Sequence, residues 1–165
     1  MSDLEQLTFR LNNYQYPFYL KAEKILIIGF GNEYLNVKRG NLASKVTIVD
    51  KENLDLSDYK NIQYFRSDVE NGFSFITSYF DLIIVNFLIE YIKDKRLFFE
   101  NIYGLLNKEG CILLSLWFHG RNLDDKFKKK LTTYFSSYNL KISNFKVILS
   151  NNNTYKVLLL ELQKG

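Results

Sequence analysis

The sequence predicts a doubly wound α/β fold: a mostly parallel seven-stranded sheet with helices on both faces, closed by an antiparallel C-terminal hairpin. Three observations carry that prediction. Five compact apolar runs each stop at a glycine or polar residue, helix-length stretches fill most of the gaps between them, and two last runs are joined only by an Asn-rich segment. Runs that stay apolar on consecutive residues suit parallel strands covered on both faces. Strand–helix alternation with short joints builds such a sheet from crossover units.

Leu4, Leu7 and Leu11 fall at helical spacing, and Tyr14, Tyr16, Phe18 and Tyr19 gather around Pro17. Residues 1–23 therefore read as a short helix and an aromatic segment, a cap ahead of the main domain over 24–165. Lys24–Ile28, Lys45–Val49, Asn61–Arg66, Asp81–Val85 and Cys111–Leu116 are the five apolar strands. Helices are expected over 33–42, 88–106 and 123–138. Residues 140–149 and 155–163 form the closing hairpin across Ser150-Asn151-Asn152-Asn153-Thr154. No internal repeat, linker or second domain is visible.

Composition narrows the function classes. A chain of 165 residues has room for one domain with a real core. With 47% hydrophobic and 24% charged residues, it is not a disordered or fibrous chain. The single cysteine, Cys111, cannot form an internal disulfide, and no Cys/His set suits a structural zinc. No apolar run approaches the roughly 18–20 residues that span a bilayer. Acids in Met1–Gln6 do not resemble a secretory signal, so a cytoplasmic chain without membrane contact is the expectation. The net charge of +4 gathers largely at Lys126–Lys130, which on a helix is ordinarily a solvated face. A nucleic-acid footprint would be broader and interleaved with stacking aromatics.

Ligands of open α/β sheets sit beyond the carboxyl ends of the strands, at the switch point. After the first strand comes Gly29-Phe30-Gly31-Asn32-Glu33, where glycines permit a sharp turn and close approach of a ligand to the backbone. Asp50 ends the second strand 21 residues after Gly29, a position from which a carboxylate accepts hydrogen bonds from ribose hydroxyls. The other reading of Asp50 is a turn acid before Lys51-Glu52-Asn53. Asp68 closes the third strand in Ser67-Asp68-Val69, where a side chain can reach an adenine amino group, and its other reading is a turn acid.

This series resembles the class I S-adenosylmethionine-dependent methyltransferases over about Lys24 to Gln163. The resemblance is carried by Ile27-Ile28-Gly29-Phe30-Gly31, Val46-Thr47-Ile48-Val49-Asp50, Ser67-Asp68-Val69, Phe80-Asp81-Leu82-Ile83-Ile84-Val85-Asn86-Phe87-Leu88 and Leu105-Leu106-Asn107-Lys108-Glu109-Gly110-Cys111. It implies the Rossmann-like methyltransferase fold, S-adenosylmethionine as cofactor, S-adenosylhomocysteine as product, and no metal. By the same resemblance, Gly29 and Gly31, with Phe30, Asn32 and Glu33 in their loop, pass under the methionine part. Asp50, with Lys51 beside it, holds the ribose, and Asp68 with Val69 frames the adenine. Asn86, Phe87 and Leu88 form the floor below the sulfonium. Ile27 stands where the family usually has an acid, and Glu33 where it usually has a third glycine.

Methyl transfer from a sulfonium is an in-line displacement, so alignment and water exclusion are the main tasks, with a base only where the nucleophile starts protonated. His119, the only histidine, follows the fifth strand and is the candidate base. Its other reading is an exposed loop residue. Tyr14, Tyr16, Tyr19 and Trp117 are the candidate wall of an acceptor pocket, or else packing over the sheet. The expected activity is methyl transfer to an O or N nucleophile of a small molecule, or of a peptide presented by a partner chain. A binding subunit of this fold without turnover is the alternative, and an RNA methyltransferase using Arg121 and Lys126–Lys130 stands behind both. A second copy of the chain or a partner protein stays open as an associate.

Overall fold

The computed structural model describes residues 1–29, 36–37, 44–119 and 123–165. Seven strands form one sheet: β1 (Lys24–Ile28), β2 (Lys45–Asp50), β3 (Ile62–Arg66), β4 (Phe80–Asn86), β5 (Leu106–Trp117), β6 (Leu140–Leu149) and β7 (Lys156–Lys164). Their order is β3-β2-β1-β4-β5-β7-β6. The first five run parallel, and β7 lies antiparallel to both β5 and β6. The expected doubly wound sheet with its closing hairpin is therefore the observed one.

Apolar residues along each central strand divide between the two faces. Ile25, Ile27, Ile48, Leu82, Ile84 and Leu113 join one buried cluster, while Leu26, Ile28, Val49, Ile83, Val85 and Leu114 join the other. This two-sided burial is why the strands read as continuous rather than alternating. On the second face lie α2 (Lys95–Leu105) and α3 (Asp125–Ser136), which contribute Phe98, Phe99, Ile102 and Phe135. Asp94 and Asp124 cap them by accepting the N–H groups of Leu97 and Phe127 at 3.0 and 2.8 Å. The Asp94 cap explains why the stretch over 88–106 is not one helix. It opens with a short 3₁₀ turn, Ile89–Tyr91, and α2 starts afresh after Asp94.

The first face is covered by α1 (Asp3–Lys21), a single helix that runs through Pro17. The short helix and the aromatic segment read from the sequence are thus one continuous helix. A proline inside a helix removes one hydrogen bond at a cost of about 3 kcal/mol, but Leu7, Leu11, Gln15 and Tyr19, spaced by four, are all buried against the sheet. A capping box fixes the start: Ser2 Oγ accepts the Glu5 N–H at 3.2 Å, and Glu5 Oε2 accepts the Ser2 N–H at 2.7 Å. The helix expected over 33–42 lies outside the described residues except for Asn36 and Val37. Among the described residues no helix is long and apolar enough to cross a membrane.

At the amino edge of the sheet Asp81 is a hub. Its Oδ2 accepts the N–H groups of Glu23 and Lys24 at 3.2 and 3.0 Å, and its Oδ1 accepts Asn107 Nδ2 at 2.6 Å. The junction of α1 with β1 and the start of β5 are thereby tied to β4. Residues 106–110 extend β5 across an irregular register, so the strand starts five residues before the apolar run. Gly110 is required within it, because a Cβ there would stand 2.6 Å from Leu106 Cδ1 and 3.0 Å from the Asn107 carbonyl oxygen.

Candidate functional site

The chain steps outward from β1 through β2 to β3, then returns to place β4 on the other side of β1. The switch point thus falls between β1 and β4. Gly29 leaves β1 with φ of +73°, in the left-handed region, and donates its N–H to the Val49 carbonyl at 2.9 Å. Among the described residues, a Cβ on Gly29 would meet nothing within 4 Å.

Asp50 ends β2 half-buried, and its Oδ1 accepts the Glu52 N–H at 2.9 Å. Asp68 caps the short 3₁₀ turn Val69–Asn71, its Oδ1 accepting the Glu70 N–H at 2.9 Å. Both acids therefore do the turn work the sequence allowed, and both also line one cleft. The cleft has a volume of about 250 Å³ and brings together Gly29, Asp50, Lys51, Asp68, Val69 and Leu88. Tyr91 and Ile92 complete its far side. Neither was singled out from the sequence. The signal for Tyr91 was an aromatic just past the fourth strand, and it is 73% exposed.

Phe30, Gly31, Asn32 and Glu33 lie outside the described residues, as does Arg121. Ile27 is wholly buried, with Ile48 and Ile84 as its register partners. Where the family usually has an acid, this chain has packing.

Beyond β4 the expected floor divides. Leu88 lines the cleft, whereas Asn86 and Phe87 belong to the α1 side of the sheet. Asn86 Oδ1 accepts Gln15 Nε2 at 3.0 Å. Phe87 has φ of +53°, uncommon for an aromatic residue, and its N–H donates to the Ser115 carbonyl at 3.0 Å. Such backbone strain costs roughly 1–3 kcal/mol and collects at functional sites. The Phe87 ring stacks on Trp117 with centroids 4.4 Å apart and planes at 24°. The Trp117 backbone is held in turn by its main-chain N–H, which donates to Glu90 Oε1 at 3.1 Å.

The expected aromatic wall is only partly present. Trp117 ends β5 at the carboxyl edge of the sheet, but Tyr19 is wholly buried in the core and so is packing, not wall. Tyr14 packs toward the hairpin, where its hydroxyl donates to Glu161 at 2.6 Å and accepts from Asn144 at 3.0 Å. Burial first, and then this bond, push the Tyr14 phenol up to about 12. Tyr16 is half-buried on α1. The reason is the unbroken helix, whose spacing of four turns these positions toward the sheet and the hairpin. His119 is exposed just past β5, and no described residue hydrogen-bonds its ring. Gln15 was missed, although a polar residue on the Leu7-Leu11-Tyr19 stripe is legible once the helix is carried through Pro17.

The donor set fits the cofactor that the motifs imply. Two carboxylates at neighbouring strand ends can accept from ribose hydroxyls and an adenine amino group. Val69, Leu88 and Ile92 offer apolar surface to a ring, and Gly29 allows close approach to the chain. Among the described residues no group of three His, Cys, Asp or Glu side chains is placed to hold a metal.

Comparison with known proteins agrees with this geometry. Residues 28–114 match the family model described as methyltransferase domain. No curated protein matches the sequence. Among solved structures, the chain is similar to 1,6-didemethyltoxoflavin-N1-methyltransferase from Burkholderia thailandensis, with bound 1,6-didemethyltoxoflavin and S-adenosylhomocysteine. The TM-score is 0.76 at 11% identity, covering 96% of this chain and 78% of that one. It is also similar to the N-methyltransferase NodS from Bradyrhizobium japonicum in complex with S-adenosylhomocysteine, with a TM-score of 0.72, 15% identity, and 96% and 87% of the two chains covered. A glycopeptide N-methyltransferase, MtfA, gives 0.71 at 10% identity over 96% and 90%.

Proposed function

The chain belongs to the methyltransferase-domain family of class I S-adenosylmethionine-dependent enzymes, and from that premise we propose that it transfers a methyl group to an O or N nucleophile of a small molecule or a presented peptide. The observation that carries the reading is the cleft at the switch point, where Gly29, Asp50 and Asp68 converge from three adjacent strand ends. Structural neighbours with bound S-adenosylhomocysteine support it, and one of them acts on a small heterocycle.

S-adenosylmethionine, when bound, supplies a methyl group on a sulfonium, which needs no activation by the protein. The residues of this chain bind and orient. Asp50 accepts hydrogen bonds from the ribose, Asp68 with Val69 holds the adenine, and Leu88 with Ile92 keeps water from the ring. The Phe87–Trp117 stack closes the neighbouring side and shields the acceptor. His119 takes the proton where the nucleophile arrives protonated. Residues 1–23 act as the cap over the acceptor side.

Titration calorimetry with S-adenosylmethionine and S-adenosylhomocysteine tests the reading. Micromolar binding of both is expected, and absence of heat with the wild-type chain overturns it. The base role of His119 predicts that a His119→Ala variant loses turnover on an acceptor whose nucleophile arrives protonated and keeps it on one whose nucleophile is already free. Unchanged turnover from pH 6 to 8 removes His119 from the mechanism.

A further inference from the structure

At the carboxyl edge of the sheet, on the face covered by α1, lies a group of buried polar side chains that the cleft does not use. Asn86 and Ser115 are register partners on β4 and β5. They continue the alternation in which Leu82, Ile84, Cys111 and Leu113 face α1. Gln15 reaches down from α1 to Asn86 Oδ1, and its own Oε1 lies 3.5 Å from Asn36 Nδ2. Asn12 is one helical turn before Gln15 on α1. Asn12, Gln15 and Ser115 are 3%, 0% and 0% exposed.

Within this group several hydrogen-bonding atoms have no partner among the described residues. Asn12 leaves both its amide oxygen and nitrogen unpaired, Asn86 its Nδ2, and Ser115 its Oγ. Burying such atoms unpaired is costly, and chains ordinarily pair nearly all of them. Several at one place, beside a strained Phe87, are better explained by a ligand than by a packing defect. The Phe87–Trp117 stack stands at the same strand ends and offers an aromatic face.

We propose that Asn12, Gln15, Asn86 and Ser115, walled by Phe87 and Trp117, form the acceptor pocket and select an uncharged, flat acceptor with both donors and acceptors along one edge, as in a lactam or a related heterocycle. The inference rests on the methyltransferase reading above. The pocket set contains no ionisable side chain, and the nearby Glu90 carboxylate already accepts the Trp117 N–H. Among the described residues that form the set, a charged acceptor would find no counter-charge, and desolvating it there is strongly unfavourable. A purely apolar acceptor would leave the orphan groups unpaired.

Trp117 is the only tryptophan, so its fluorescence reports the pocket directly. With the chain saturated by S-adenosylhomocysteine, quinolin-2-one as the neutral lactam probe should quench it saturably, while benzoate and benzylammonium should not. Asn12→Leu and Ser115→Ala should each weaken the lactam about tenfold, leave S-adenosylhomocysteine affinity within about twofold, and raise the melting temperature slightly, because each removes an unpaired buried group. If either variant weakens S-adenosylhomocysteine as much as the lactam, the cluster belongs to the cofactor and the inference falls. Equal quenching by the charged probes, or none by the lactam with S-adenosylhomocysteine still bound, also overturns it while leaving the methyltransferase reading intact. A wild-type chain that fails to bind S-adenosylhomocysteine overturns both.

Discussion

The two edges of the sheet treat their polar groups in opposite ways. At the amino edge, Asp81 accepts three hydrogen bonds from Glu23, Lys24 and Asn107, and Ser44 Oγ donates to the Ala22 carbonyl at 2.6 Å. At the carboxyl edge, Asn12, Asn86 and Ser115 keep unpaired atoms, and Phe87 holds a left-handed backbone. The chain satisfies itself where it only needs to stay folded, and leaves groups and strain where a ligand is to complete them.

The largest test of that contrast is Asp81→Ala, which should destabilise the chain by about 2–4 kcal/mol, since each bond to a charged acceptor is worth roughly 1.5–3 kcal/mol and part of it is recovered from water. Chemical denaturation measures this. Burial works to raise the Asp81 pKa, but the bonds from Asn107, Lys24 and Glu23 more than offset it, so the carboxyl lies below its ordinary value. A depressed pKa contributes stability above the unfolded value, near 3.9, and loses it as pH falls through the folded one. Acid unfolding below about pH 4 should therefore flatten in Asp81→Asn. An unchanged acid limb would remove Asp81 as a hub.

Gly110→Ala should cost less, about 1–3 kcal/mol, because its Cβ would overpack Leu106 and the Asn107 carbonyl. Thermal unfolding that matches wild type would show that the start of β5 adjusts freely. At the other edge the expected effect is smaller and reversed in sign from habit. Phe87→Gly should be more stable than Phe87→Ala by about 1 kcal/mol, because only glycine accepts φ of +53° without strain. Alanine proving the more stable of the two would mean that Phe87 stores no strain.

The sequence made the sheet legible because its strands are buried on both sides and each stops at a chemically distinct residue. Gly29, Asp50 and Asp68 were found for the same reason, since a strand end plus a polar stop defines a position. What stayed hidden depends on tertiary contact. The aromatic segment around Pro17 did not read as helix, yet the buried row of Leu7, Leu11, Gln15 and Tyr19 outweighs one lost bond. That continuity turns Tyr14 and Tyr19 into packing and brings Gln15 to Asn86. Nor does any local pattern show that Ser115, inside an apolar run, shares a face and a register position with Asn86.

On this reading the carboxyl edge binds and the amino edge stabilises. Calorimetry with S-adenosylhomocysteine and thermal unfolding, run side by side on Asp50→Ala and Asp81→Ala, test it most directly. Asp50→Ala should lose S-adenosylhomocysteine binding while melting within a few degrees of wild type, and Asp81→Ala should melt clearly lower while binding with wild-type affinity. Wild-type affinity in Asp50→Ala, or lost binding with an unchanged melting temperature in Asp81→Ala, would contradict it.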